Sequence, residues 1–147
     1  MKKILVLIAA LVVGFQAKAD NNIPVTLEQM PAPAQEFIKS HFAAKTMTFA
    51  VLEKEFFGEE YEVLFTDGTT MEFDSKGNWK SVECKRGDVV PWSAVPTQIA
   101  QFVNKTYPNV QVYEMDRDNR GYEVKLTNRI ELEFNPDFQV VDMDYDD

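Results

Sequence analysis

The chain repeats itself. Tyr61-Glu62-Val63 returns as Tyr122-Glu123-Val124 sixty-one residues later, and the same offset carries Thr66 to Thr127, Met71-Glu72-Phe73 to Leu132-Glu133-Phe134 and Val82 to Met143. Upstream the offset becomes 65, so that Met30-Pro31 answers to Val95-Pro96 and Phe37-Ile38 to Phe102-Val103, with Ile23-Pro24 near Val90-Pro91. The four-residue difference falls between a helix and a second strand, where a hairpin absorbs it. A fixed internal period constrains the fold strongly, because each copy has to be the same supersecondary unit.

Each copy opens with a proline where a first helical turn has no use for the missing N–H. Ala34, Phe37, Ile38 and Phe42 follow, and later Ile99, Phe102, Val103 and Tyr107, as one apolar stripe on a helix of about three turns. The period then changes to two. Met47, Phe49 and Val51, then Tyr61, Val63 and Phe65, then Met71 and Phe73 alternate with polar or small residues. Val110 and Val112, Tyr122, Val124 and Leu126, and Ile130, Leu132 and Phe134 do the same, the pattern of half-buried antiparallel strands. Turn residues separate the runs: Phe57-Gly58, Asp67-Gly68, Lys76-Gly77-Asn78, Asn119-Arg120-Gly121 and Asn135-Pro136-Asp137. The expected fold is α+β: two tandem units, each one helix packed on a four-stranded antiparallel sheet. The first occupies 20–84, the second 90–147, and the polar stretch 85–89 links them too briefly for free rotation.

Met1-Lys2-Lys3, an uncharged run from Ile4 to Phe15 and Ala17-Lys18-Ala19 form a secretory signal peptide over residues 1–19, with cleavage expected before Asp20. The run is shorter than the roughly 20 residues of a membrane-spanning helix, so a periplasmic protein without membrane insertion is expected. Fifteen Lys+Arg against twenty-four Asp+Glu give a formal charge of −9. Loss of Lys2, Lys3 and Lys18 moves it to −12. Such a chain repels nucleic acid.

The exported leader, the two Pro-start helices, the paired Tyr-Glu-Val strands and the Asp74-Ser75-Lys76-Gly77-Asn78-Trp79 hairpin together resemble the PepSY-like, beta-lactamase-inhibitor-like proteins of bacterial envelopes. Tyr107-Pro108 belongs to the same likeness, which spans nearly all of 23–145. Phe42-Ala43 departs from an aromatic-Pro pair, and Asn135-Pro136-Asp137-Phe138 lacks a hairpin glycine. The resemblance implies a tandem module without catalytic residues of its own that binds or inhibits an envelope protein.

The residues themselves also argue against an enzyme. One Cys and one His cannot build a disulfide framework or a Cys/His metal cluster. His41 is the one base available to a hydrolytic triad, and it falls inside the apolar stripe of Phe37 and Ile38. Cys84 reads as a small apolar residue closing a strand. No pair of acids stands out as a glycosidase pair, and no Gly-rich phosphate loop occurs. No cofactor is expected. Asp116-Arg117-Asp118-Asn119-Arg120-Gly121 imitates the start of a calcium loop, but its twelfth place is Thr127 instead of a bidentate Glu. The tail from Asp142 to Asp147, with Asp142 and Asp144, could hold calcium weakly or be a solvated strand end.

Strand alternation sends Glu62, Leu64, Thr70 and Glu72 away from the helix, and Glu123, Lys125, Glu131 and Glu133 in the second unit. Counting back from Val82 and Cys84 puts Trp79 on the same outer face, with Val140 as its counterpart, while Trp92 reads as a staple between the units. Such a face is either an ordinary polar surface or a binding surface for a basic partner, with Trp79 as anchor. The functional expectation is a non-catalytic periplasmic binding module, of which an inhibitor is one form, recognising an envelope protein through Glu62, Leu64, Glu72, Trp79, Glu123, Lys125, Glu131 and Glu133. The alternative is a calcium-binding protein using Asp116, Asp118, Asp142 and Asp144.

Overall fold

The computed structural model describes residues 22–85 and 87–145. The expected signal peptide and its cleavage point lie outside these residues. Strand β1 (Asn22–Val25) is followed by a 3-10 turn (Leu27–Gln29) and helix α1 (Ala32–His41). A meander of β2 (Met47–Glu55), β3 (Gly58–Phe65), β4 (Thr70–Asp74) and β5 (Trp79–Glu83) comes next. A second 3-10 turn (Trp92–Ala94) leads into α2 (Thr97–Thr106). The described residues close with β6 (Val112–Asp118), β7 (Gly121–Leu126), β8 (Ile130–Phe134) and β9 (Val140–Tyr145).

All nine strands form one antiparallel sheet in sequence order. This corrects the expectation of two units, each a helix on its own four-stranded sheet. The overturning contact is the β5–β6 ladder, which pairs Ser81 with Asp116, Val82 with Met115 and Glu83 with Glu114. Two separate sheets would each leave an open edge at this point, with unpaired N–H and C=O groups. Joining them satisfies both edges and runs one apolar row across the molecule. Val25, Ala50, Val63, Met71, Val82, Met115, Val124, Leu132 and Met143 stand side by side on successive strands β1 to β9.

Strand β1 is a second departure. Asn22–Val25 pairs with Ala50–Glu53 of β2, and its Pro24 is tolerated because an edge strand can spare one N–H. The helical stripes form where the spacing places them. Ala34 and Ile38 of α1 and Ile99 and Val103 of α2 are buried. Phe37 packs edge-on against Phe73 at 5.9 Å and Phe102 against Phe134 at 5.8 Å. Both helices therefore cover the face that carries the apolar row.

The connection between β5 and α2 is held at both ends. Cys84 N–H donates to Tyr113 O at 2.9 Å and Val90 N–H to Val112 O at 2.8 Å, while Lys45 bridges Asp67 and Asp88 at 2.5 Å each. At the β4–β5 turn, Gly77 has φ +92°, and a Cβ there would lie 2.8 Å from Pro31 and 3.0 Å from the Ala34 nitrogen. This glycine lets the turn tuck under the start of α1.

Candidate functional site: the uncovered acidic face

The residues between those of the apolar row point to the opposite face, which neither helix covers. One cross-strand row runs Val51, Glu62, Glu72, Ser81, Asp116, Glu123, Glu133, Asp142 from β2 to β9. A parallel row runs Leu64, Thr70, Glu83, Glu114, Lys125, Glu131, Asp144 from β3 to β9. Neighbouring strands are about 4.8 Å apart, so like charges face one another directly, an arrangement that destabilises a sheet.

Five of these acids are nevertheless withdrawn from water, while Asp142 and Asp144 on β9 stay exposed. Glu62 is 4% exposed and Glu72 6%, and Glu114, Asp116 and Glu131 are equally buried. Among the described residues, Oε1 of Glu62, Oε2 of Glu114, Oδ1 of Asp116 and Oε2 of Glu123 meet no hydrogen-bond partner. Burial raises the carboxyls of Glu62, Glu114 and Asp116, and the neighbouring carboxylates of Glu53 and Glu72 push Glu62 further. Burial, with Glu60 nearby, lifts Glu72 to about 7. Two lysines reach in: Lys80 pairs with Glu60, and Lys125 stands 3.8 Å from Glu114.

At the β2–β3–β4 corner the acids converge. Carboxylate oxygens of Glu60, Glu62 and Glu72 lie within 4.8 Å of one another, and so do those of Glu53, Glu55 and Glu60. The pairings Glu53 with Glu60 and Glu62 with Glu72 bring them together from three strands. Glu53, Glu55, Glu60, Glu114 and the sheet position of Asp116 escaped the sequence reading. Glu60 follows from Glu62 along β3, but bulges between Met47 and Phe49 and between Val112 and Glu114 reverse the alternation read along β2 and β6, which would have sent Glu53, Glu55, Glu114 and Asp116 to the helix side.

The expected binding residues are placed unequally. Leu64, Glu123, Lys125 and Glu133 are half-buried on this face, whereas Glu62, Glu72 and Glu131 are buried in it. Trp79 is not on the face, which corrects its assignment as an exposed anchor. A bulge between Glu72 and Phe73 sets Glu72 opposite Ser81 but Phe73 opposite Trp79. The extra residue, Lys80, reverses the alternation on which the count back from Val82 relied. Trp79 is 8% exposed in the core, stacked on Phe37 with centroids 6.5 Å apart. The Arg117 guanidinium sits 4.4 Å from its ring centroid, and Arg117 Nε donates to Trp79 O at 2.7 Å. Val140 pairs with Phe134 across a second bulge. Trp92 packs half-buried against the core.

The calcium-loop imitation also resolves. Asp116 is a strand residue, and Asp118 is held in the hairpin turn by Arg120, whose backbone N–H and Nη2 donate at 2.8 and 2.9 Å. Asp142 lies three strands beyond Asp116 in the same row, roughly 14 Å away at ordinary strand spacing. Asp116, Asp118, Asp142 and Asp144 therefore do not gather around one ion; Asp146 and Asp147 lie outside the described residues. His41 Nδ1 lies 2.9 Å from Ser93 Oγ and its ring meets Phe37 edge-on, so it ties α1 to the second 3-10 turn. Cys84 is buried, which pushes its thiol up to about 11 and away from reactivity.

The family described as "Putative beta-lactamase-inhibitor-like, PepSY-like" matches residues 59–142. Among solved structures, a "putative calcium-regulated periplasmic protein" of Bacteroides thetaiotaomicron is 44% identical, with a TM-score of 0.79 over 86% of this chain and 98% of its own. A "putative periplasmic protein from DUF2874 family" of Bacteroides vulgatus is 40% identical, with a TM-score of 0.80 over the same shares. A further Bacteroides vulgatus periplasmic protein is 27% identical, with a TM-score of 0.74 over 84% and 98%. Among curated proteins none matches.

Proposed function

Because this chain belongs to the PepSY-like, beta-lactamase-inhibitor-like family, we propose that it is a non-catalytic periplasmic module whose uncovered sheet face takes up a calcium-type cation. The observation that carries this is Glu62: its carboxylate is buried, unpartnered at Oε1, and within 4.8 Å of the oxygens of Glu60 and Glu72. Burying carboxylates without partners costs several kcal/mol unless a proton or a cation compensates. The donors are all oxygen. Calcium takes 6–8 such ligands at about 2.3–2.6 Å, and three carboxylates supply up to six of them. Zinc favours the nitrogen and sulfur donors of His and Cys, which this corner does not hold.

The ion would tie β3 to β4 through the Glu62–Glu72 pair and remove their mutual repulsion. Because Glu62 and Glu72 hold their protons more tightly than ordinary carboxyls, uptake near neutral pH expels protons. The Bacteroides thetaiotaomicron neighbour described as calcium-regulated supports the same reading. Direct docking of a basic partner on Glu62 and Glu72 is less favoured, since neither carboxylate is open to one.

Calorimetry with calcium chloride in two buffers of different ionisation enthalpy tests the proposal. The expected heat depends on the buffer, disappears in Glu62→Gln/Glu72→Gln and survives in Asp142→Asn/Asp144→Asn. Absence of heat in the folded wild type, or its loss only with the β9 acids, would overturn the assignment.

A further inference from the structure

Where β2 turns into β3, Phe56 and Phe57 are 93% and 94% exposed. They occupy the two central positions of a two-residue hairpin, closed by the Glu55–Gly58 pair. Polar residues and glycine are the usual occupants of turns, and the other hairpin tips carry Asp67-Gly68, Lys76-Gly77, Asn119-Arg120 and Asn128-Arg129. The last turn does contain an aromatic, Phe138, but it folds back to stack on Tyr122 at 4.8 Å. Phe56 and Phe57 touch each other, edge to face at 4.8 Å. Gly58 takes the positive φ, +137°, so the turn needs neither aromatic for its backbone shape.

Charge narrows the occupant. Glu53, Glu55, Glu59 and Glu60, against the one base Lys54 opposite Glu59, flank the tip on both strands, and a cleft of about 500 Å³ beside Phe57 has Glu55, Glu59 and Glu60 in its wall. Lys80 and Arg117 also border that cleft, but Glu60 and Trp79 already engage them. An anionic lipid surface would be repelled by these acids, and so would a second copy of a chain whose formal charge is −9. A protein pocket lined by apolar groups and ringed by Lys or Arg fits both features. We infer that the Phe56–Phe57 hairpin is a docking element that inserts into such a pocket on a partner protein, with Glu55 and Glu59 meeting its basic rim. This does not depend on the cation reading, since neither phenylalanine belongs to the Glu60–Glu62–Glu72 corner.

The test is photo-crosslinking of the full chain carrying p-benzoylphenylalanine in place of Phe57, in the native envelope, with Asn119 on the β6–β7 tip as control. The identified protein is then titrated with wild type, Phe56→Ser/Phe57→Ser, Glu55→Lys/Glu59→Lys and Glu62→Gln/Glu72→Gln. Expected are one protein adduct at position 57 and none at 119, and an affinity about ten-fold or more lower in the Phe56→Ser/Phe57→Ser variant. The Glu55→Lys/Glu59→Lys variant should bind more weakly and lose its salt dependence, while the Glu62→Gln/Glu72→Gln variant should bind as wild type does. A lipid adduct, a self-adduct, no adduct, or undiminished affinity in the folded Phe56→Ser/Phe57→Ser variant would overturn the inference.

Discussion

Replacing Glu72 by Gln should stabilise the protein at alkaline pH and leave it nearly unchanged in acid. Glu72 is 6% exposed, and burial followed by the charge of Glu60 raises its carboxyl from 4.5 to about 7. The folded state therefore binds this proton more tightly than the unfolded state does, so stability falls as pH rises from about 4.5 to about 7. A displacement of about 2.5 units corresponds to about 3 kcal/mol, fully present above the folded value and absent below the unfolded one. Gln keeps the shape without the charge. In chelator, Glu72→Gln should be more stable than wild type by about 3 kcal/mol at about pH 8 and by less than about 1 kcal/mol at about pH 5. For a chain of this size that is about 10 °C in Tm at the higher pH.

The assay is thermal and urea unfolding followed by far-UV circular dichroism at both pH values. Glu62, Glu114 and Asp116 are shifted in the same direction, so the wild-type slope includes their share. Asp67, Asp74 and Asp118 are shifted downward, and their opposing contribution is lost only below about pH 3.8, outside this window. Calcium at about pH 8 should stabilise wild type and do much less for Glu72→Gln. Wild-type stability that is flat or rising from about pH 5 to about pH 8, or a Glu72→Gln variant weaker than wild type at the higher pH, refutes the reasoning.

Three further outcomes follow from the packing. Trp79→Ala should cost about 3–5 kcal/mol in urea unfolding, the value for a core aromatic, whereas an exposed Trp would cost under about 0.5 kcal/mol. Gly121→Ala should cost more than Gly58→Ala. Both residues have φ near +135°, but only the Gly121 Cβ would strike backbone, 1.9 Å from Phe134 O, and the Tm difference between the two variants reads that clash alone. Unfolding should be one transition with coincident dichroism and tryptophan fluorescence, because β5 and β6 are paired; two separated transitions would mean that the halves fold independently.

Local chemistry made the helical stripes legible: Ala34, Ile38, Ile99 and Val103 are buried at the positions that 3.6-residue spacing selects. Period-two alternation likewise separated Val63, Met71, Val124 and Leu132 from Glu62, Glu72, Glu123 and Glu131, so the acidic face was visible as a set of residues. Its edges were not. Glu53 and Glu60 meet only because β2 pairs with β3 in one register, and Asp116 left its loop for the sheet because β5 accepts β6 as a neighbour.

Three decisions belonged to the tertiary structure. Pairing across β5–β6 turned two expected sheets into one, since hydrogen bonding at an edge depends on which strand arrives there and no residue encodes that locally. A single bulge at Lys80 carried Trp79 to the core, because alternation loses its phase wherever one residue is unpaired. Burial of Glu62 and Glu72 changed what the acids can do. A carboxylate in water steers a basic partner, whereas one withdrawn from water without a partner holds a proton or takes a cation, and withdrawal is a property of the assembled sheet.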